Sequence, residues 1–341
     1  MKLTRKQFMK LSAATAVAAS AGSLTACSGS SETFTMIIGH VMSDGHPRTT
    51  SLAQFAEDVA EKTDGRVTVD VKGDGVLGSE KEILEQLLGG QVQAMRGGQM
   101  DYTSRLYAFS LPFLANNGDE ISAVLSSDIA LEIAQDSADV SGHIIINTCN
   151  AGGFRNFSNN VRPVAVPADI AGLKMRAPSI DTIVWTLETL GANVTSVDYN
   201  ELYQALATGV CDGQENPWSN VATMKFYEQQ KYFSEVRYQF HPDALGINKD
   251  WWESLGTELQ DILKECATDM GILNDELCDE LDAEYKQIAV DYGCEVYVPT
   301  DAEIDEWTAA CAPVYDLVVE NGLASQDEID QMVAIVAACR V

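Results

Sequence analysis

Apolar positions along this chain switch between two periods, and the alternation predicts strands and helices in turn. Residues 34–39 form a short, nearly continuous apolar run, as a buried strand requires, and valines at 67, 69 and 71 alternate with polar residues over 66–72. Between them Leu52, Phe55, Ala56 and Val59 fall at the spacing of one helix face. Gly73, Gly75 and Gly78 make a turn region, and Ile83, Leu84, Leu87 and Leu88 mark a helix that Gly89 and Gly90 end. The apolar run 109–114 is broken by Pro112, and 144–146 reads as a short buried strand. A second series follows: a strand over 154–158, a loop through Pro163 and Pro167, and a strand over 173–176. A helix over 182–190 stopped by Gly191, a strand over 193–197, and a helix through Leu202, Ala205 and Leu206 complete it. This order predicts an α/β chain of βαβ units with largely parallel sheets. Further on, Leu259, Ile262, Leu263, Met270, Leu273, Leu277, Leu281 and Ile288 hold helical spacing over many turns. That is one long helix, or two joined by a kink at Gly271, of the kind that braces two lobes.

The first 27 residues follow neither pattern. Lys2, Arg5, Lys6 and Lys10 precede an apolar run of small residues from Leu11 to Ala21, too short to span a bilayer. Leu24-Thr-Ala-Cys27 then closes the segment like a bacterial lipobox, in which Cys27 carries the lipid after cleavage. Residues 1–27 are therefore expected to be a lipoprotein signal peptide and 28–33 a tether. Thr4-Arg-Lys-Gln-Phe-Met-Lys10 also resembles a twin-arginine export signal, with Lys6 in place of the second arginine. The chain has 341 residues; losing the leader removes four basic residues and leaves 18 against 51 acidic ones, a formal net charge of −33 in place of −29. So acidic a body is a poor partner for nucleic acid or anionic lipid. The roughly 314 remaining residues exceed what one core serves well, and two lobes are expected. Seven cysteines follow Cys27, widely spaced and without a zinc pattern, and several read as buried thiols.

Catalytic chemistry finds no motif: there is no Gly-x-Ser-x-Gly, no His-Glu-x-x-His and no phosphate-binding Gly-x-x-x-x-Gly-Lys. His40, His46, His143 and His241 show no metal-ligand spacing, so neither a metal nor another cofactor is expected. Binding chemistry is better represented. Arg176 ends a short strand-like run before Pro178, and Arg155 lies 21 residues earlier in Gly152-Gly-Phe-Arg-Asn-Phe157. A guanidinium donates two parallel hydrogen bonds to a carboxylate. Either arginine could equally pair with one of the many acidic residues. Asp212-Gly-Gln-Glu-Asn-Pro-Trp218 is a polar cluster in which Asn216 offers donor and acceptor and Pro217 starts a helix.

These residues carry a resemblance. Gly153-Phe-Arg-Asn-Phe-Ser-Asn-Asn160, Ala171-Gly-Leu-Lys-Met-Arg176, Leu202-Tyr-Gln-Ala-Leu-Ala-Thr-Gly-Val-Cys-Asp-Gly-Gln-Glu-Asn-Pro217 and Met224-Lys-Phe-Tyr-Glu-Gln-Gln-Lys-Tyr232 closely resemble the DctP-like solute receptors of TRAP (tripartite ATP-independent periplasmic) transporters. His40, Gly65-Arg-Val-Thr-Val69 and Leu77-Gly-Ser-Glu-Lys-Glu82 fit more loosely. The resemblance implies a two-lobed periplasmic-binding-protein-like α/β fold with hinge strands and a long interlobe helix. Lobe I would take 33–153 and 242–281, and lobe II 154–241 and 282–341. It implies an extracytoplasmic, lipid-anchored, monomeric receptor that closes on a small carboxylate and delivers it to one small and one large membrane subunit driven by an ion gradient. Arg176 matches the arginine that forks the ligand carboxylate, Arg155 a second polar contact, Asn216 an asparagine beside the carboxylate, and Tyr199 an aromatic wall. Gln99 and Glu80 lie near first-lobe contact positions, and Trp218 follows the Asn-Pro pair where a smaller residue is usual. Met95-Arg-Gly-Gly-Gln99 departs from the family's apolar and small residues. Two other functions stay open: a receptor presenting its ligand to a membrane kinase, and an exported enzyme on a two-lobed fold.

Overall fold

The structure, a computed structural model, describes residues 32–98 and 105–340. The chain divides into Met1–Glu32 and one compact unit, Thr33–Val341, and the second carries every element below. The leader, Cys27 and Gln99 lie outside the described residues.

Two mixed sheets organise the unit. The first has strands β1 (Phe34–Gly39), β2 (Val67–Lys72), β3 (Ala94–Gly97), β4 (His143–Asn150) and β10 (Pro242–Asn248), in the order β2-β1-β3-β10-β4. The second has β5 (Arg155–Asn159), β6 (Lys174–Ala177), β7 (Asn193–Ser196), β8 (Gly213–Asn216), β9 (Tyr232–Gln239) and β11 (Glu295–Tyr297), in the order β11-β9-β5-β8-β6-β7. The expected parallel pairing holds for β1 with β2 and β3, and for β6 with β7 and β8. It fails at β10, antiparallel to β3 and β4, and at β5, antiparallel to β8 and β9. The reason is connectivity. Both strands enter their sheet directly from the other one, β4 running into β5 and β9 into β10. A short link turns the chain back where a helical crossover would keep its direction. The two links lie side by side, with the Ala151 N–H bonded to the His241 carbonyl at 2.9 Å.

Among the described residues twelve helices pack around the sheets: α1 (Pro47–Lys62), α2 (Glu80–Leu88), α3 (Gly118–Leu125), α4 (Asp128–Ser141), α5 (Asp181–Thr189), α6 (Leu202–Ala207), α7 (Trp218–Thr223), α8 (Lys249–Ser254), α9 (Thr257–Tyr292), α10 (Asp301–Cys311), α11 (Pro313–Glu320) and α12 (Gln326–Cys339). The long helix expected around Gly271 is continuous over 36 residues. It packs on α1 and β4 of the first sheet, then on α7 beside the second. Gly271 makes a close approach there rather than a kink, since a Cβ would lie 2.8 Å from the Asn147 amide nitrogen. Leu259, Leu263, Cys266 and Met270 of α9 close one core with Met36, Ile38, Leu52, Phe55 and Val59. On the second sheet Phe157 stacks between Tyr238 and Trp307, with ring centroids 4.6 and 5.3 Å away. The C-terminal α12 packs on α3 and α4.

All seven cysteines after Cys27 are free; five are buried, Cys294 is half-buried and Cys339 is exposed. Among the described residues no helix is long and apolar enough to cross a membrane, and no cluster of ligating side chains could hold a metal ion.

Candidate functional site

The carboxyl ends of the parallel strands from both sheets open into one cleft, the usual place for a ligand in open α/β sheets. Arg176 is the third residue of β6, in register with Gln214 of β8 and Thr195 of β7. Asn216 ends β8, and Pro217 then starts α7. Arg155 begins β5 at the link between the sheets. Tyr199 and Pro178 complete the wall from the second sheet. Opposite stand Arg48 near the start of α1, Glu80 at the start of α2, Met42 and Gly98, while Ala151 and His241 come from the two links. The cleft encloses about 50 Å³ open to the centre of a water molecule, several times the roughly 10–15 Å³ that one water needs.

Local sequence explains these placements. Ser79 caps α2 in a capping box: its hydroxyl accepts from the Glu82 N–H at 3.4 Å, and the Glu82 carboxylate accepts from the Ser79 N–H at 2.8 Å. Glu80 is thereby fixed in the first turn, where the helix dipole favours an anion. His46 caps α1, with Nδ1 accepting from the Arg48 N–H at 3.1 Å and Pro47 opening the helix. The other ring nitrogen must then carry the proton, and Nε2 donates across the cleft to Asn220 Oδ1 at 3.1 Å. Asn220 Nδ2 donates on to Asn216 Oδ1 at 3.1 Å. Gly152 makes this closure possible: at φ +135° a Cβ would stand 2.6 Å from Ser219 Oγ and 3.0 Å from His46 Nε2.

The arginines differ sharply in their partners. Arg155 is committed to Glu215: Nε donates to Oε2 in a short contact, and Nη2 to Oε1 at 2.7 Å. Arg155 Nη2 also donates to Asn216 Oδ1 at 3.2 Å, and the Tyr238 hydroxyl donates to the same Glu215 carboxylate at 2.8 Å. Arg48 is committed too, with Nη1 to Glu80 at 3.0 Å and Nη2 to Asp243 at 2.5 Å. Arg176 has no such partner. It is 1% exposed, and its one hydrogen bond among the described residues runs from Nε to the Val197 carbonyl at 2.8 Å. No carboxylate of the described residues lies within ion-pair distance. Burial holds its pKa down to about 10, with the nearby Arg155 adding to the effect and Glu215 opposing it. The Tyr199 hydroxyl is also buried without a hydrogen-bond partner among the described residues. Burial pushes its pKa up, so it stays a phenol.

Arg155, Arg176, Asn216, Tyr199 and Glu80 thus meet in one cleft. Trp218 does not join them. It is fully buried in the core behind the second sheet, 5.1 Å from the Phe233 ring, with Nε1 donating to Glu235 at 3.1 Å. An indole there fills the core and satisfies its donor, which removes it from the ligand contacts expected above. Sequence reading passed over Arg48, His241, Met42 and Asn220. Arg48 carried a faint signal, a cation in the first turn of a helix, where the dipole disfavours it unless acids gather round. Arg96, unexplained in the sequence, is a fully buried support behind the cleft. It donates to Ser51 Oγ at 2.7 Å and Cys149 Sγ at 2.9 Å, with Nε 3.2 Å from Asp243.

The Arg155–Glu215 pair should be structural before it is anything else. Arg155→Ala leaves the fully buried Glu215 without its ion-pair partner, and with the Tyr238 hydroxyl as the one side-chain hydrogen bond left to it among the described residues. Breaking such a pair costs about 3–5 kcal/mol, so a drop in melting temperature of roughly 6–10 °C is expected by calorimetry. A loss under 2 °C would show that the pair is dispensable.

Two lobes linked by two adjacent strand connections and one long helix, with a buried polar cleft between them, define a solute-binding protein. The chain belongs to the bacterial extracellular solute-binding proteins of family 7, whose model matches residues 38–321. An uncharacterized protein of Sinorhizobium fredii is 34% identical over 286 residues, which is 83% of this chain and 52% of that protein, so the chain spans about half of that relative's length. A TRAP periplasmic solute binding protein from Ochrobactrum anthropi, with its C-terminus bound in the ligand-binding pocket, is similar at a TM-score of 0.79 and 32% identity, over 91% of this chain and 97% of that one. Another from Shewanella oneidensis, with bound succinate, is similar at a TM-score of 0.83 and 26% identity, over 89% and 99%.

Proposed function

We propose that the protein captures a small organic acid between its lobes, with Arg176 on the carboxylate, and hands it to a TRAP-type membrane transporter of one small and one large subunit. The observation that carries this reading is the buried guanidinium of Arg176, which lines the cleft without a carboxylate of the described residues as its partner. A charged group there is costly until an anion arrives, and a ligand carboxylate supplies the missing pair. Arg155 and Asn216 stand beside the same point, and Tyr199 and Glu80 face the rest of the ligand. Gln99, which follows Gly98 in the sequence, is a further candidate contact in this reading. The Ochrobactrum anthropi relative points the same way, since the C-terminus of a polypeptide is itself a carboxylate.

The moving bodies in this proposal are 33–153 with 242–281, and 154–241 with 282–341. They turn about the two links and α9, with α12 bearing on α3 as they close. Residues 1–27 direct export, Cys27 takes the lipid, and 28–33 tether a monomeric receptor whose sole membrane attachment is that lipid. The receptor catalyses nothing and binds no nucleic acid.

Mass spectrometry of ligand released from the purified, denatured protein tests the reading, followed by a melting panel of organic acids. A carboxylic acid should recur in the released fraction and raise the melting temperature. Saturation at 100 times Kd is worth about 2.7 kcal/mol. The corresponding amide should have no effect; an amide that stabilises as well as its acid would sink the proposal.

A further inference from the structure

We infer that the cleft takes a ligand with one carboxylate, bearing hydroxyl groups at its other end, and that it rejects dicarboxylates. This rests on the carboxylate reading proposed above and narrows it.

Among the described residues the charges at the cleft nearly cancel. Arg48, Arg96, Arg155 and Arg176 face the buried Asp243 and Glu215 and the half-buried Glu80. The surplus among these residues is one positive charge, and it sits on Arg176, the member without an ion pair to any described residue. The histidines do not add to it. His241 donates from Nε2 to the Gly98 carbonyl at 3.0 Å, and its Nδ1 lies 2.6 Å from the Ser110 hydroxyl, which can donate to a neutral ring. His46 is fixed as a neutral ring by its two bonds described above. Burial holds both pKa values down, that of His241 to about 3, and Arg155 and Arg48 push in the same direction.

One ligand carboxylate therefore brings the cleft to neutrality. A second would be buried without a free cation among the described residues to receive it. The candidate on the first lobe, Arg48, is held by Glu80 on one side and Asp243 on the other. A carboxylate approaching Arg48 also approaches Glu80, and at the mouth it meets the exposed Asp198. Like charges at such range in a poorly solvated site are strongly unfavourable. A hydroxyl behaves differently. It donates to a carboxylate such as Glu80 and accepts from a phenol such as Tyr199, whose buried oxygen has no partner among the described residues. The Shewanella oneidensis relative is similar in fold and holds succinate; on this inference the present chain differs from it in ligand.

Titration calorimetry on the purified protein decides the matter with D-glycerate and D-gluconate, succinate and L-malate, and propionate. A hydroxylated monocarboxylate should bind at least ~100-fold more tightly than either dicarboxylate, and more tightly than propionate. Succinate or L-malate binding as well as the best monocarboxylate would overturn the single-charge inference. Propionate matching the hydroxylated acids would overturn the hydroxyl half. If no acid of any class binds, the carboxylate reading itself falls and takes this one with it. Glu80→Gln provides a second arm, with its ligand-free melt as the check on folding. It should shift the ratio of dicarboxylate to monocarboxylate affinity at least ~10-fold toward the dicarboxylate; an unchanged ratio would remove Glu80 from the discrimination.

Discussion

Arg176→Ala is expected to weaken binding of the protein's acid ligand at least ~100-fold and to leave the ligand-free melting temperature unchanged or slightly raised. Two charge-assisted hydrogen bonds at roughly 1.5–3 kcal/mol each set the first figure. The second follows from the setting of the side chain. Arg176 is buried without an ion-pair partner among the described residues, and burial already holds its pKa down to about 10. Removing it relieves a desolvation cost that the Val197 carbonyl and the charge of Glu215 offset only in part. Arg155 makes the contrast: it lies in the same cleft, yet its loss unfolds before it un-binds, because Glu215 depends on it. Arg176→Lys keeps the charge and loses the fork, so it should fall between wild type and alanine. Calorimetric titration and ligand-free melting of the two variants are the measurements. An alanine variant that binds the acid with unchanged Kd, or one that no longer folds, contradicts the assignment.

Acid should destabilise the protein steeply as pH falls below 7. His40 and His241 are held down to about 3 and His143 to about 4, in each case by burial first. Arg48 and Arg96 add to the effect at His40, and Arg155 at His241. His46 is held well below its ordinary value, again chiefly by burial. An unfolded chain protonates these rings near pH 6.5. Between there and pH 3–4 the unfolded state holds more protons, so stability is present above pH 6.5 and lost as pH falls. Each ring contributes roughly 1.4 kcal/mol per pH unit across its window. Asp275, Asp279 and Asp282, raised by burial, oppose this over the lower part of the range. Urea unfolding at pH 7, 6 and 5 should show stability dropping at each step; equal stability at pH 7 and 5 would mean that the four rings titrate freely.

The elements with one clear period were legible from the sequence. Phe34–Gly39, the helix around Leu52 and Val59, and the long α9 each repeat at the spacing their structure demands. The hinge was not. β8 reads Gly-Gln-Glu-Asn, polar throughout, yet all four residues are buried. They are buried because Arg155, Ser158 and Asn220 satisfy them, and those partners come from other elements. β10 begins at Pro242 and Asp243, residues that argue against a buried strand until Arg48 and Arg96 are seen to flank the carboxylate. The same holds within the cleft. The motif around Arg176 marked that residue, whereas Arg48 gained meaning only once Glu80 and Asp243 converged on it. Periodicity reports local burial against water, and it is silent on polar groups that are buried against each other.

The free thiols bear on how this protein can be made and handled. Burial drives the Cys149 and Cys311 thiols up to about 12 and Cys278 well above its ordinary value, so the native fold keeps them protonated and out of reach of oxidants. Unfolding adds the five buried thiols to the exposed Cys339 and half-buried Cys294, and any bond formed among the seven is one the native structure does not contain. Oxidation of the unfolded polypeptide is then a one-way trap, which makes operational durability a matter of how rarely the protein opens rather than of its equilibrium stability alone.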